Sequence, residues 1–402
     1  MIKKLKLDKL NRKWKRTLFT ILGLAILSGV YLIGLNVGNG NIHGHNSGLN
    51  ASLPDKLNYS TVNQEYQALI DNYDGKLTTQ QLLNGIKQGL ANAVGDPYTE
   101  YFTAQQAAQF SSELNNSFSG IGAELGTNSQ NQIIVMSPLK GYPAAAAGLV
   151  ANDVIVDINN NSTAKMTVEQ AVSAIRGKAG TDVTLTVSHN GQLQTLTIKR
   201  ENIVVPSVSY KVINGNLGYI SIISFANDTS SLIQQAATYM VSQHVKGIIL
   251  DLRDNPGGLV TAAVATASEW LKPGQEIMQE KHGNTVLQTY TATGGDILNG
   301  IPTVVLVNGG SASASEITAG ALHDNHDAYI IGTQTFGKGV VQQLINLADG
   351  GELKVTIASW YRPDGQDINH LGIKPDSVVN QPANATSDLQ LSAAEQYLES
   401  AK

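Results

Sequence analysis

"IPTVVLVNGGSASASEITAGALHD", Ile301 to Asp324, passes from an apolar run through a Gly- and Ser-rich turn into a stretch with helical spacing. An unbroken apolar run of this length reads as a strand buried on both faces, and a helix packed after it is one half of a crossover unit. The same grammar recurs after Val205. "LGYISIISF", "VKGIILDLRDN" and "DAYIIGTQTF" read as strands, with "SSLIQQAATYMVSQH" and "LVTAAVATASEWL" as helices between them. Alternation of this kind predicts a largely parallel α/β core with its site on loops at the strand C-terminal ends. Three junctions qualify: "LRDNPGG" (Leu252–Gly258), "NGGSASASE" (Asn308–Glu316) and "TFGKGVVQ" (Thr335–Gln342).

Outward from the core the pattern changes. Between Phe118 and Arg200, "GIGAEL", "QIIVMSP", "DVIVDINN" and "DVTLTVSHNGQLQTLTIKR" are short β runs around a helical "TVEQAVSAIRG". Asn190–Gly191 between two alternating strands predicts a hairpin. From Asn58 to Asn116 apolar residues fall near helical spacing, with Thr78 or Thr79 as a cap, and "GDPYTEYF" (Gly95–Phe102) reads as a turn whose tyrosines pack back on the domain. The tail from Thr386 reads as a polar linker and a final amphipathic helix.

A chain of 402 residues, 42% hydrophobic and 15% charged with net charge −5, suggests two or three globular domains and gives no electrostatic case for nucleic acid. The absence of cysteine excludes disulfides, thiolate metal sites and a cysteine nucleophile. "MIKKLKLDKLNRKWKR" carries eight Lys or Arg and one Asp, and Thr17–Val37 then supplies an uncharged, mostly apolar run long enough to span a bilayer. That run exceeds a usual signal-peptide core and no A-x-A site follows, so an uncleaved anchor with its basic flank in the cytoplasm is expected, and the rest of the chain outside. "GNGNIHGHNSGLNAS" is a flexible tether, and His43 and His45 in it are solvated rather than metal ligands.

The serines at positions 311, 313 and 315 need a base. His323 lies about three turns, roughly 15 Å, along the same predicted helix, out of reach of a serine at its start. Nothing marks His326 or His370, no G-x-S-x-G elbow exists, and "SPLK" at Ser137–Lys140 falls in the β module as a coincidence. Lys338 is different. Gly337 and Gly339 flank it, valines follow, and no acidic residue lies within ten positions. Desolvation there would disfavour the ammonium and lower its pKa toward that of a general base.

"GIGAEL", then "PAAAAGLVANDVIVDIN", then "AVSAIRGKAGTDVTLTV" resembles a bacterial PDZ domain, which implies a strand–helix groove taking a peptide C-terminus by strand addition. Backbone N–H groups of "SGIGAE" would bind the terminal carboxylate, with Ile121, Gly122 and Ala123 on the strand that pairs with the peptide, Val168, Val172 and Ile175 as pocket wall and Arg176 as a gating residue. "GIILDLRDNPGG", "VLVNGGSASASEITAGALHD" and "IIGTQTFGKGVVQ" together resemble the C-terminal processing peptidases, or tail-specific proteases. This resemblance covers nearly all the chain outside the anchor and implies a crotonase-like α/β core with a Ser–Lys pair. It assigns Ser313 as nucleophile, Lys338 as base and Gln342 as the residue orienting the lysine. Ser311 and Ser315 are then helix-start caps. Ser313 one step inside a helix N-terminus would leave the Ala314 N–H aimed at a reacting carbonyl, and Gly257 or Gly258 would give the second oxyanion donor.

The expected architecture is α/β: a crotonase-like core with an inserted β-rich PDZ domain, an N-terminal helical region and one transmembrane helix. It divides into a cytoplasmic segment 1–16, an anchor 17–37, a linker 38–55, helices 56–116, the PDZ domain 117–202, the core 203–380, and a tail 381–402. The expected activity is serine endoproteolysis of proteins with free C-termini, at the extracytoplasmic face of the membrane, with no metal or cofactor. A homodimer stays open, as does the substrate. The rival from another class is an inactive PDZ scaffold; an acyl-CoA enzyme rests on fold analogy alone.

Overall fold

The computed structural model describes residues 56–382 and 385–400, so the expected basic segment, anchor and linker, with His43 and His45, lie outside the described residues. Among the described residues no helix is long and apolar enough to cross a membrane. The chain divides into two units at Leu77/Thr78. Helix α1 (Ser60–Asn72), in the first, buries none of its residues.

The second unit opens with α2 (Thr79–Asn92), capped as expected by Thr78: its N–H donates to Gln81 Oε1 and its Oγ1 accepts from Gln81 N. Strand β1 (Glu100–Phe102) and helix α3 (Ala104–Leu114) follow. "GDPYTEYF" is thus more than a turn, because its last three residues pair antiparallel with a distant strand, Glu100 opposite Lys354 and Phe102 opposite Glu352.

Strand β2 (Ser117–Gly120) then leads into a β module: β3 (Ala123–Thr127), β4 (Ile133–Pro138), α4 (Pro143–Ala146), β5 (Val154–Ile158), β6 (Asn161–Ser162), α5 (Val168–Ile175), β7 (Asp182–His189) and β8 (Gln192–Lys199). The chain leaves through β9 (Glu201–Val204), antiparallel to β2, so a two-stranded ribbon joins the module to the rest. Its sheet runs β3-β4-β5-β7-β8 with β6 on β5. Alternate residues Val183, Leu185 and Val187 of β7 join Ile133, Val135 and Ile155 in a separate core. The expected hairpin is present, His189 opposite Gln192, with φ 48° at Asn190 and 84° at Gly191 matching the twist of the strands.

The catalytic-region candidates sit on β10 (Val208–Ile213), β11 (Leu217–Ile222), α6 (Thr229–Ser242), β12 (Gly247–Asp251), α7 (Val260–Ser268), β13 (Glu276–His282), β14 (Thr285–Thr291), β15 (Thr303–Val307), α8 (Ala314–Asp324), β16 (Tyr329–Gly332), β17 (Val340–Asn346), β18 (Glu352–Tyr361), β19 (Ser377–Val378) and α9 (Leu389–Ser400). One sheet, β10-β11-β12-β15-β16-β19, is parallel except at its β10 edge. Every residue of β12 and β15 is buried. Ile248, Leu250, Val305 and Val307 face α6, α7 and α8, whereas Ile249, Val304 and Leu306 face Ala394 and Leu398 of α9. The parallel reading of this sheet is correct but incomplete. β1, β18, β13 and β14, with β17 on β18, form a second, five-stranded antiparallel sheet. Its strands β14 and β17 are largely exposed, so they lack the continuous apolar runs that mark the parallel ones.

Candidate active site

Ser313 occupies the turn from β15 into α8 with φ 52° and ψ −112°. A non-glycine residue held there costs on the order of 1–3 kcal/mol, and such strain persists only where surrounding bonds enforce it. They are present. Ala312 N donates to Asn255 O at 3.0 Å, Ser311 Oγ to Leu252 O at 2.7 Å and Ser315 Oγ to Asn255 O at 2.9 Å. Ser311 and Ser315 are therefore not caps: they tie the serine loop to the "DNPGG" loop. Ser313 itself is the N-cap rather than a residue inside the helix, which begins at Ala314.

Gly257, at φ 102°, lies against this turn so closely that a Cβ would stand 2.9 Å from Ser313 Cβ and 2.8 Å from Ala312 O. Its N–H is taken by Asn255 Oδ1 at 2.9 Å. The N–H groups of Gly258 and Ala314 meet no acceptor among the described residues. Of the two glycines, Gly258 thus has the free donor, and Gly257 provides the close approach.

Lys338 lies between β16 and β17. Gly337 (φ 87°) would place a Cβ 2.8 Å from Gly372 N, so the loop is pressed onto the 369–372 segment. Lys338 Nζ donates to Gln342 Oε1 at 2.8 Å and lies 5.4 Å from the Tyr98 ring centre; Gln342 Nε2 in turn donates to Tyr98 O. Trp360 Nε1 donates to Lys338 O at 2.9 Å. Burial pushes the Lys338 ammonium below its ordinary range; nearby Lys354 acts the same way, and Asp96 opposes them. Ser313, Lys338 and Gln342 line one cavity of about 720 Å³, though Ser313 Oγ and Lys338 Nζ are not hydrogen-bonded to each other.

Sequence reasoning missed the group that joins the two loops. Glu316, fully buried, accepts from Ser313 N (2.9 Å), Thr335 Oγ1 (2.5 Å), Gly337 N (2.7 Å) and Lys338 N (3.0 Å). Four donors match the acceptor capacity of one carboxylate. The Ser-x-x-Glu spacing from Ser313 is a helix-start signature and was the available signal. Tyr98 was missed for another reason: its contact with Lys338 spans most of the chain.

In the β module, Ala123 stands on β3 beside α5, but Ile121 and Gly122 precede the strand. Ile121 is 3% exposed and packs in the module core. Gly122 has φ 75°, and a Cβ on it would stand 2.5 Å from Tyr142 Cβ. Arg176 caps α5, exposed, its guanidinium 4.9 Å from the Phe118 ring on the ribbon strand β2. His323, in the last turn of α8, is not among the residues lining the cavity; it bonds Asp324 (3.0 Å) and Asp376 (3.1 Å).

The family model for Peptidase family S41 matches residues 216–379, and that for the PDZ domain matches 109–188. A probable CtpA-like serine protease of Staphylococcus epidermidis is 36% identical over 366 residues, covering 91% of this chain and 73% of that one. The chain belongs to the S41 peptidase family. A Staphylococcus aureus relative of the same description is 39% identical over 84% of this chain and 67% of its own. Among solved structures, the photosystem II D1 C-terminal processing protease superposes with TM-score 0.51 at 27% identity, covering 83% of this S41 peptidase and 90% of that chain. The chain is therefore a serine-type peptidase carrying a PDZ domain, of the C-terminal processing kind.

Proposed function

We propose that this S41 peptidase cleaves peptide bonds through Ser313 and Lys338 and forms an acyl-enzyme. The observation that carries this reading is the desolvated Lys338 ammonium, held by Gln342 on the cavity that also exposes the strained Ser313. Neutral Lys338 takes the Ser313 hydroxyl proton as Oγ attacks the carbonyl. The Ala314 and Gly258 N–H groups receive the oxyanion, assisted by the N-terminus of α8. The protonated lysine then gives its proton to the leaving amine, and water repeats the sequence on the ester. The two side chains must close to hydrogen-bond distance for this, a tightening that apo sites commonly need.

Recognition belongs to the PDZ domain: a substrate tail with a free, apolar C-terminus adds to β3 beside α5, and Arg176 on Phe118 relays occupancy through the β2–β9 ribbon. Occupancy shifts the enzyme only by its differential affinity for active and resting arrangements. The eight basic residues before Thr17 keep that end cytoplasmic, so the anchored enzyme works outside the membrane, as a monomer or homodimer.

The test is proteolysis of an unfolded protein by the full-length enzyme in detergent. Ser313→Ala and Lys338→Ala should each lower kcat/KM by about a thousandfold or more, and the double variant should be no worse. An active Lys338→Ala enzyme would refute the pair. Protease added to intact protoplasts should digest the PDZ and catalytic regions; their full protection would refute the topology. Amidating an apolar substrate tail should slow cleavage by the wild type, and equal rates would refute tail recognition.

A further inference from the structure

The cavity that holds Ser313 has largely apolar walls, among them Ile317, Leu259, Val341 and Trp360, and four charged side chains on its lining. Three of the four are accounted for. Lys338 belongs to the pair above. Lys354 is bonded to Glu100 at 3.3 Å and stacked near Phe102 and Phe110. Glu113 is exposed, with Gln109 Nε2 on its carboxylate at 3.1 Å.

Glu280 is the fourth, and it differs from the rest. It sits in β13 directly opposite Trp360 of β18, which places it one strand from the residue bonded to the Lys338 carbonyl. Its residue is 7% exposed. One oxygen, Oε1, accepts the Tyr290 hydroxyl at 3.1 Å, and Tyr290, pushed up to about 12 by burial and by this carboxylate, stays a donor. Oε2 has no hydrogen bond among the described residues, yet it is not one of the sealed polar atoms of the interior, as Glu269 Oε2 is. An unbonded carboxylate oxygen therefore opens on the cleft. Glu280 makes no hydrogen bond to Lys338, whose Nζ is held by Gln342.

A carboxylate in apolar surroundings is costly until a donor reaches it. Filling the cleft with an apolar side chain would strip its remaining water and leave it unpaired; a cationic side chain would bury its stem on the apolar wall and pair its tip. We propose that Glu280 is a specificity-determining residue that selects substrates placing a lysine or arginine side chain beside the scissile bond. This rests on Ser313 being the nucleophile of the cavity. Tail recognition by the PDZ domain then chooses the protein, and Glu280 chooses the bond.

The experiment uses full-length enzyme in detergent and two peptides with the same apolar C-terminus, differing only in lysine or norleucine next to the cleaved bond, with a peptide-library digest to locate that position. Wild type should prefer lysine by about tenfold or more in kcat/KM. Glu280→Gln should bring the ratio near one by lowering the lysine rate and raising the norleucine rate, because the apolar side chain no longer strips water from a charge, and a Tm near wild type reports an intact fold. Equal rates in the wild type, an unchanged ratio in the variant, or equal loss of both substrates would overturn the proposal. Binding of the same peptides to Ser313→Ala enzyme, read by fluorescence anisotropy, gives an independent measure, and equal affinities there would also overturn it. Cleavage that survives Ser313→Ala would instead refute the nucleophile and leave the two failures distinct.

Discussion

Ser313 and Lys338 reach the cleft from supports of unequal depth. The serine follows β15, whose residues are all buried, and precedes α8, buried from Ala314 to Leu322. The lysine leads into β17, whose residues Gln343 to Asn346 are exposed. On the serine side position is set by backbone and by loop-to-loop bonds to Leu252 and Asn255. On the lysine side Glu316 holds the loop backbone, but the ammonium itself is placed by side chains and backbone of separate segments, through Gln342, Tyr98 and Trp360. Ser313, the proposed nucleophile, is thus fixed with the fold, whereas the side chain of Lys338, the proposed base, is adjustable. Changes near Ser313 should then act as all-or-none steric events, and changes near Lys338 as graded, pH-dependent ones.

The largest effect should come from breaking the bond between the two supports. Glu316→Ala would leave four donors from both loops unpaired in the interior, each costing about 1–3 kcal/mol. We expect kcat to fall on the order of a thousandfold with a lowered Tm, because misplacement of a reacting group by even 1 Å is expensive. Glu316→Gln, which keeps the shape, should fold and lose less. A fully active Glu316→Ala enzyme would show that the supports are coupled elsewhere.

Next is the serine side alone. Gly257→Ala puts a methyl 2.9 Å from Ser313 Cβ, at φ 102° where an L side chain is itself strained. Loss of kcat on the order of a hundredfold, with a nearly unchanged ascending limb of the pH profile, is the expected outcome. A shifted limb with normal kcat would mean that the serine loop tunes the lysine, against the separation drawn above.

How far the sequence reveals this depends on where each partner sits along the chain. Ser313, Gly257 and Lys338 stand in short, compositionally odd loops at strand ends, with Ala314 opening the helix that follows, and the parallel strands announce themselves by unbroken apolar runs. Glu316 was hidden by ambiguity, since a glutamate three residues into a helix serves equally as an ordinary capping partner. Tyr98, Asp96 and Lys354 were hidden by distance: no local pattern places "GDPYTEYF" or β18 against a loop at 338. The second sheet was missed because strands half open to solvent carry little hydrophobic periodicity. Ile121 and Gly122 precede β3 rather than lying on it, because nothing in "SGIGAEL" marks where the strand begins.

The lysine side makes a paired prediction in pH. Under the proposed mechanism Lys338 must be neutral to accept the serine proton, so kcat/KM should rise with pH through a pKa below the ordinary lysine value of 10.5. Asp96 holds that pKa up, so Asp96→Asn should move the limb to lower pH; Lys354 holds it down, so Lys354→Gln should move it to higher pH. Shifts in the same direction would refute the electrostatic reading of the base. Asp96 also accepts from Thr99 Oγ1 at 2.7 Å, so Tm should be followed alongside.

The smallest effect should lie at the far end of the helix that begins with Ser313. His323 is held by Asp324 first and Asp376 second, and both raise its pKa above the ordinary 6.5 against the cost of burial and the Arg362 charge. A group whose folded pKa is raised contributes stability that is fully present below the unfolded value and lost as pH rises through the folded one. His323→Gln should therefore lower Tm slightly near pH 6 and hardly at all near pH 9, the side chain being half-exposed and its ion pairs screened. Proteolysis at fixed temperature should stay close to wild type at both pH values, since His323 is absent from the cavity lining. A variant with intact Tm but abolished activity would place a histidine in the chemistry after all, and the backbone-fixed serine would then have been given the wrong base.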